Sequence, residues 1–127
     1  NPEKILSDVE KQIRRRILLQ TKTLILTPRY LVELSDDICA IIPLPEVLWI
    51  YDHAAMRRTI KGRQLSYTIH VVTMKGEEYT LTGKSHREVS AIYHELNTRY
   101  PNFFFGYSKE HQEMVQYVLH EMKNEKA

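Results

Sequence analysis

The amino-acid sequence predicts an α+β domain in which an antiparallel sheet of about six short strands lies between one N-terminal helix and two C-terminal helices. Three observations carry that expectation. Residues 5–17 repeat apolar side chains at helical spacing, residues 21–82 switch to β-branched and aromatic residues punctuated by turn formers, and residues 85–122 return to helical spacing behind a capping box.

Asn1, Pro2 and Glu3 read as an N-cap, a first-turn proline and an acid matched to the helix dipole, so a helix starts there. Ile5, Leu6, Val9, Ile13 and Ile17 give it a thin apolar stripe, while Lys11, Arg14, Arg15 and Arg16 gather positive charge near its end. Thr27, Pro28 and Arg29 form the turn of a hairpin between Leu24–Leu26 and Tyr30–Leu34. Ser35, Asp36 and Asp37 make a second tight turn, after which Ile38–Ile42 and Val47–Met56 are expected as strands around Pro43 and Pro45.

Arg57 to Arg63 is expected as a basic loop containing Gly62. Beyond it Leu65, Tyr67, Ile69 and Val71 alternate with Ser66, Thr68 and His70, the period of a half-exposed strand. Lys75 and Gly76 turn the chain into Glu77–Thr82, completing a hairpin. Ser85 and Glu88 then form a capping box, and Val89, Ile92, Tyr93, Leu96 and Tyr100 follow at helical spacing until Pro101 stops the run. Phe103, Phe104, Phe105 and Gly106 make an apolar connector, with a short strand as the alternative, before Ser108 caps a last helix carrying Met114, Val115, Val118, Leu119 and Met122, whose tail from Lys123 is expected to fray.

A chain of 127 residues with 43% hydrophobic content can bury a core of its own, and four glycines, five prolines and no repeat argue against disorder or a solenoid. A net charge of +2 does not call for a polyanionic partner, so nucleic acid is not expected and any anion site must be local. The single cysteine, Cys39, has no intrachain disulfide partner; it lies in the apolar run Ile38–Ile42, where it is expected as a small buried hydrophobe, in keeping with a reducing compartment. The longest apolar stretch, Ile38–Tyr51, is interrupted by Pro43, Pro45 and Glu46 and is too short to cross a bilayer as a helix. Because the chain begins at Asn1, it is expected to be a piece of a longer protein, with residues 1–20 as an amphipathic, juxtamembrane helix and residues 21–127 as the main domain.

Catalytic motifs fail on spacing. Gly83, Lys84 and Ser85 resemble the end of a phosphate-binding loop, but the glycine that motif needs five residues earlier is Glu78, so Ser85 is read as a plain helix cap. His94–Glu95 and His120–Glu121 would begin a zinc-protease signature, yet the second histidines would fall on Thr98 and Asn124. Asp52 and His53 are neighbours on a strand and point to opposite faces, which argues against an acid–base dyad. The expectation is therefore a noncatalytic domain with no cofactor and no metal.

Arg57, Arg58, Lys61 and Arg63 place four cations within seven residues, and Arg14, Arg15 and Arg16 supply a second cluster. Both are candidate contacts to anionic lipid, against the plainer reading of solvated charge; no aromatic residues interleave them as single-stranded nucleic acid would require. Trp49, within Val47-Leu48-Trp49-Ile50-Tyr51, is expected to anchor the core. Three consecutive aromatics cannot all face one way, so Phe103 or Phe104 is a candidate partner contact, although burial beneath the helices is the commoner fate.

The succession of short antiparallel strands and a capped helix resembles the pleckstrin-homology-like domains of bacteria. Leu26-Thr27-Pro28-Arg29-Tyr30-Leu31-Val32, the run from Ile42 through Pro43-Leu44-Pro45 to Tyr51, and Phe105-Gly106-Tyr107-Ser108 are similar to an uncharacterised Gram-positive family of membrane-linked proteins, over roughly Thr21 to Met122. The resemblance implies a curved sheet closed by a helix and assigns no activity to any residue. The loop of the first hairpin, Thr27-Pro28-Arg29, is far shorter than the basic loop that phosphoinositide-binding members of the wider superfamily use, and the second C-terminal helix is a further departure. The function expected is a noncatalytic interaction domain on the cytoplasmic side of a membrane-associated bacterial protein, with a protein or peptide as partner. Peripheral binding to anionic lipid is the alternative, and a hydrolase with a dispersed site is the rival from another class.

Overall fold

A computed structural model of the chain describes the backbone of residues 2–35 and 38–126, and their side chains except at positions 35, 38, 39, 125 and 126. The cap at Asn1, the turn at Asp36 and Asp37 and the burial of Cys39 fall outside what is described. The chain divides into two compact units, Asn1–Pro45 and Glu46–Ala127.

In the first unit the helix α1 (Pro2–Arg15) precedes a meander of β1 (Leu19–Gln20), β2 (Leu24–Leu26), β3 (Tyr30–Ser35) and β4 (Ile38–Pro43), each antiparallel to the next. The β2–β3 turn closes where expected. Thr27 lends it both its amide, which donates to the Tyr30 carbonyl at 2.9 Å, and its hydroxyl, which accepts from the Tyr30 amide at 3.1 Å. Ile25, Val32 and Ile41 lie in one cross-strand row and meet Val9 and Ile13 of α1, so one face of the sheet takes the helix. Of the expected stripe, Val9 is buried and Ile13 partly so, while Ile5, Leu6 and Ile17 stay exposed.

A single turn of 3-10 helix at Leu44–Glu46 leads into the second unit. There β5 (Val47–Thr59), β6 (Gly62–Thr73) and β7 (Glu78–Lys84) form an antiparallel meander, and β8 (Phe104–Phe105) pairs parallel to β5 on its other edge. Ile50 and Asp52 of β5 point towards α2 (His86–Arg99), whose Val89, Ile92 and Leu96 are buried, and Tyr93 of α2 hydrogen-bonds Asp52. On the opposite face Trp49 and Val72 pack with Val115, Val118 and Leu119 of α3 (Lys109–Lys126). A register shift between Val47 and Trp49 inserts Leu48 as a bulge, which lets Leu48 and Trp49 enter one cluster although they are neighbours. Trp49 anchors that cluster as expected, and its indole N–H donates to the Gly106 carbonyl at 2.9 Å.

The α+β class, the N-terminal helix and the two C-terminal helices match the sequence reading. The sheet is divided: among the described residues there are eight strands in two four-stranded sheets, not about six in one. The extra strand β1 has two residues, too few for a period-two pattern to register, and β8 falls in the Phe103–Phe105 connector, where the sequence allows a short strand.

Candidate functional site

The least ordinary element is the outer half of β5 and β6. β7 accompanies β6 only between Tyr67 and Val72, and β8 accompanies β5 only at Trp49 and Ile50, so residues 54–66 continue as a two-stranded ribbon. At about 3.4 Å per residue this ribbon extends roughly 20 Å. Its pairing is regular to the tip, with Met56 opposite Leu65, Arg57 opposite Gln64, Arg58 opposite Arg63 and Thr59 opposite Gly62.

The expected basic loop from Arg57 to Arg63 is thus corrected to a hairpin whose turn is only Ile60 and Lys61. The Thr59 hydroxyl donates to the Gly62 carbonyl at 3.0 Å, and Gly62 adopts φ +117°, a conformation that glycine alone takes without strain. A ribbon exposed on both faces needs no apolar alternation, which is why charged residues hid the strand from a reading by periodicity.

The chemistry of the tip is unusual for a solvated hairpin. Arg58 and Arg63 are direct cross-strand neighbours, an arrangement that is repulsive unless an anion lies between or beside them. Among the described residues no ion pair involves Arg57, Arg58, Lys61 or Arg63. Next to the arginine pair stands an exposed apolar pair, Met56 at 61% and Leu65 at 54%, and Ile60 at the apex is completely exposed.

Below the tip the ribbon meets the β7–α2 junction around a cavity of about 750 Å³, whose lining includes Arg57, Arg58, Lys61, Lys84, Ser85 and Glu88. Gly83 sits at φ +69° in the irregular stretch of β7 between Leu81 and Lys84, Lys84 is 2% exposed, and Ser85 caps α2 in the expected capping box. The Ser85 hydroxyl accepts from the Glu88 amide at 3.1 Å, and the Glu88 carboxylate accepts from the Ser85 amide at 3.0 Å. Two features that look unrelated in the sequence, the basic run and Gly83-Lys84-Ser85, therefore line one space.

At the root of the ribbon a ladder of rings runs across β5 and β6: Tyr51 stacks on His70, and His70 stacks on His53. His70 Nε2 and His53 Nδ1 are 2.9 Å apart, and His70 Nδ1 lies 3.6 Å from a Glu78 carboxylate oxygen. Burial, then the neighbouring His53, lowers the pKa of His70 below 6.5, against a smaller opposing pull from Glu78. Asp52 and His53 do face opposite sides, one bonded to Tyr93 and the other to His70. The Tyr93 phenol has its pKa raised by burial and by the Asp52 carboxylate that accepts its hydrogen bond. Among the described residues no group of three or more His, Cys, Asp and Glu side chains gathers as metal ligands.

Of the other candidates, Arg14, Arg15 and Arg16 are exposed at the end of α1, in the first unit. Phe103 stacks on Tyr100, and Phe104 packs against the Trp49 cluster and His111, so both rings are half-buried. Sequence reasoning missed Ile60, and it met Lys84 only in the rejected phosphate-loop reading of Gly83-Lys84-Ser85. An isoleucine flanked by Arg57, Arg58, Lys61 and Arg63 was the available signal for the first; nothing local marks the burial of the second.

Among the described residues no helix is long and apolar enough to cross a membrane. No curated protein and no solved structure matches the chain. A family profile matches residues 6–115, most of its length, and the chain accordingly belongs to that family, a domain of unknown function (DUF6709).

Proposed function

We propose that this chain is a noncatalytic, PH-like interaction domain of a membrane-associated bacterial protein, and that it docks on the anionic surface of a membrane, on its cytoplasmic side, through the β5–β6 ribbon. The PH-like part of the reading is supported by the order of elements, a four-strand meander and then a three-strand meander running into a capped helix. The observation that carries the docking is the tip itself, where the opposed Arg58 and Arg63 adjoin a fully exposed Ile60. Four cations near an anionic surface contribute about 1 kcal/mol each. An isoleucine leaving water adds roughly 2 kcal/mol more, independent of salt. Electrostatics then brings the tip to the surface and the apolar apex retains it.

Cosedimentation with vesicles tests this. Binding is expected to vesicles containing phosphatidylserine and not to pure phosphatidylcholine, to weaken with salt, and to fall about 30-fold in Ile60→Asp and further when the four cations become glutamine. Equal binding to neutral vesicles, or none at low salt, would refute the reading. A protein or peptide partner is the second reading, favoured by Met114 and Tyr117, exposed at i and i+3 on α3; Met114→Lys with Tyr117→Lys would then remove the partner and leave vesicle binding intact.

A further inference from the structure

We infer that the cavity between the ribbon and the β7–α2 junction is a binding site for a phosphate-bearing anion. This deepens the membrane reading and rests on it for one of the two sources of the ligand.

The cavity wall carries three exposed cations, Arg57, Arg58 and Lys61, beside the buried Lys84 and one carboxylate, Glu88. That carboxylate already accepts from the Ser85 amide in the capping box. Positive charge therefore dominates the space, and the repulsion between Arg58 and Arg63 at its edge is relieved when an anion enters. Arg57, Arg58 and Lys61 are exposed and make no ion pair among the described residues, so their charges can turn to a ligand entering from solvent. Arginine forks match the oxygens of a phosphate two at a time, and a dianion makes use of several cations where a carboxylate needs one. Gln64 and Ser66 add neutral donors to the same wall. At about 750 Å³ the space admits a phosphorylated headgroup as readily as a free phosphate compound.

Calorimetric titration of the chain with pyrophosphate, paired with cosedimentation on phosphatidylcholine vesicles carrying phosphatidylserine or phosphatidic acid at equal surface charge, tests the site. Pyrophosphate is expected to saturate one site, and to bind about tenfold more weakly in Arg57→Gln with Lys61→Gln, two exposed positions. Tighter binding to phosphatidic acid than to phosphatidylserine identifies the source as a lipid headgroup; equal binding identifies it as a soluble phosphate compound. If pyrophosphate binds but neither vesicle does, the membrane reading fails and the site stands. If vesicles bind while pyrophosphate shows no saturable site, or binds equally well to a folded Arg57→Gln, Lys61→Gln variant, the site is refuted and the membrane reading stands.

Discussion

At the scale of single residues, the second unit is held by polar contacts whose loss has a defined size. Ser85 and Glu88 satisfy two amides at the start of α2 reciprocally, so Ser85→Ala is expected to lower stability by about 1 kcal/mol in denaturant unfolding. Tyr93→Phe leaves a half-buried Asp52 carboxylate without the phenol that donates to it, and is expected to cost on the order of 1–2 kcal/mol by the same measurement. His70 makes stability depend on pH. Its pKa is lower folded than unfolded, so between the two values the unfolded chain binds the extra proton. This contribution is complete above 6.5 and is lost as pH falls through 6.5 towards the folded value. The denaturation midpoint should therefore drop between about pH 7 and about pH 5.5, and drop less in His70→Gln.

At the scale of elements, the ribbon separates function from stability. Met56 and Leu65 are exposed beyond the last strand that covers them, so Met56→Ser with Leu65→Ser should change stability within about 0.5 kcal/mol while weakening vesicle binding. The same exposure explains what could be read from the sequence. The capped helix behind Ser85 and the alternating strand through Tyr67, Ile69 and Val71 were legible because burial on one face writes periodicity into sequence, while the hairpin at Thr27-Pro28-Arg29, buried on both faces, was legible from β-branched and aromatic residues around a turn. Arg57 to Gln64 read as a loop because nothing covers either face there. The division into two sheets was not legible either, since pairing partners are set by contacts far apart in the chain.

At the scale of the whole molecule, the second unit joins two things on one sheet: helices on both faces at one end, which fix the strands, and an uncovered cationic ribbon at the other. A two-stranded ribbon is marginal by itself in water, so its regular pairing depends on the covered end, and its tip is available to a surface. The cavity beneath it adds a second contact that sequence distance concealed, because Lys84 lies more than twenty residues from Lys61. The central claim is that Ile60 enters the membrane. It is tested most directly with a polarity-sensitive fluorophore on Ile60→Cys in a Cys39→Ser background, compared with the same fluorophore on Glu113→Cys, an exposed position of α3. Addition of phosphatidylserine vesicles should shift emission to the blue at position 60 and leave position 113 unchanged. A protein that cosediments with the vesicles while position 60 keeps its aqueous emission, or one in which both positions shift alike, would contradict the account.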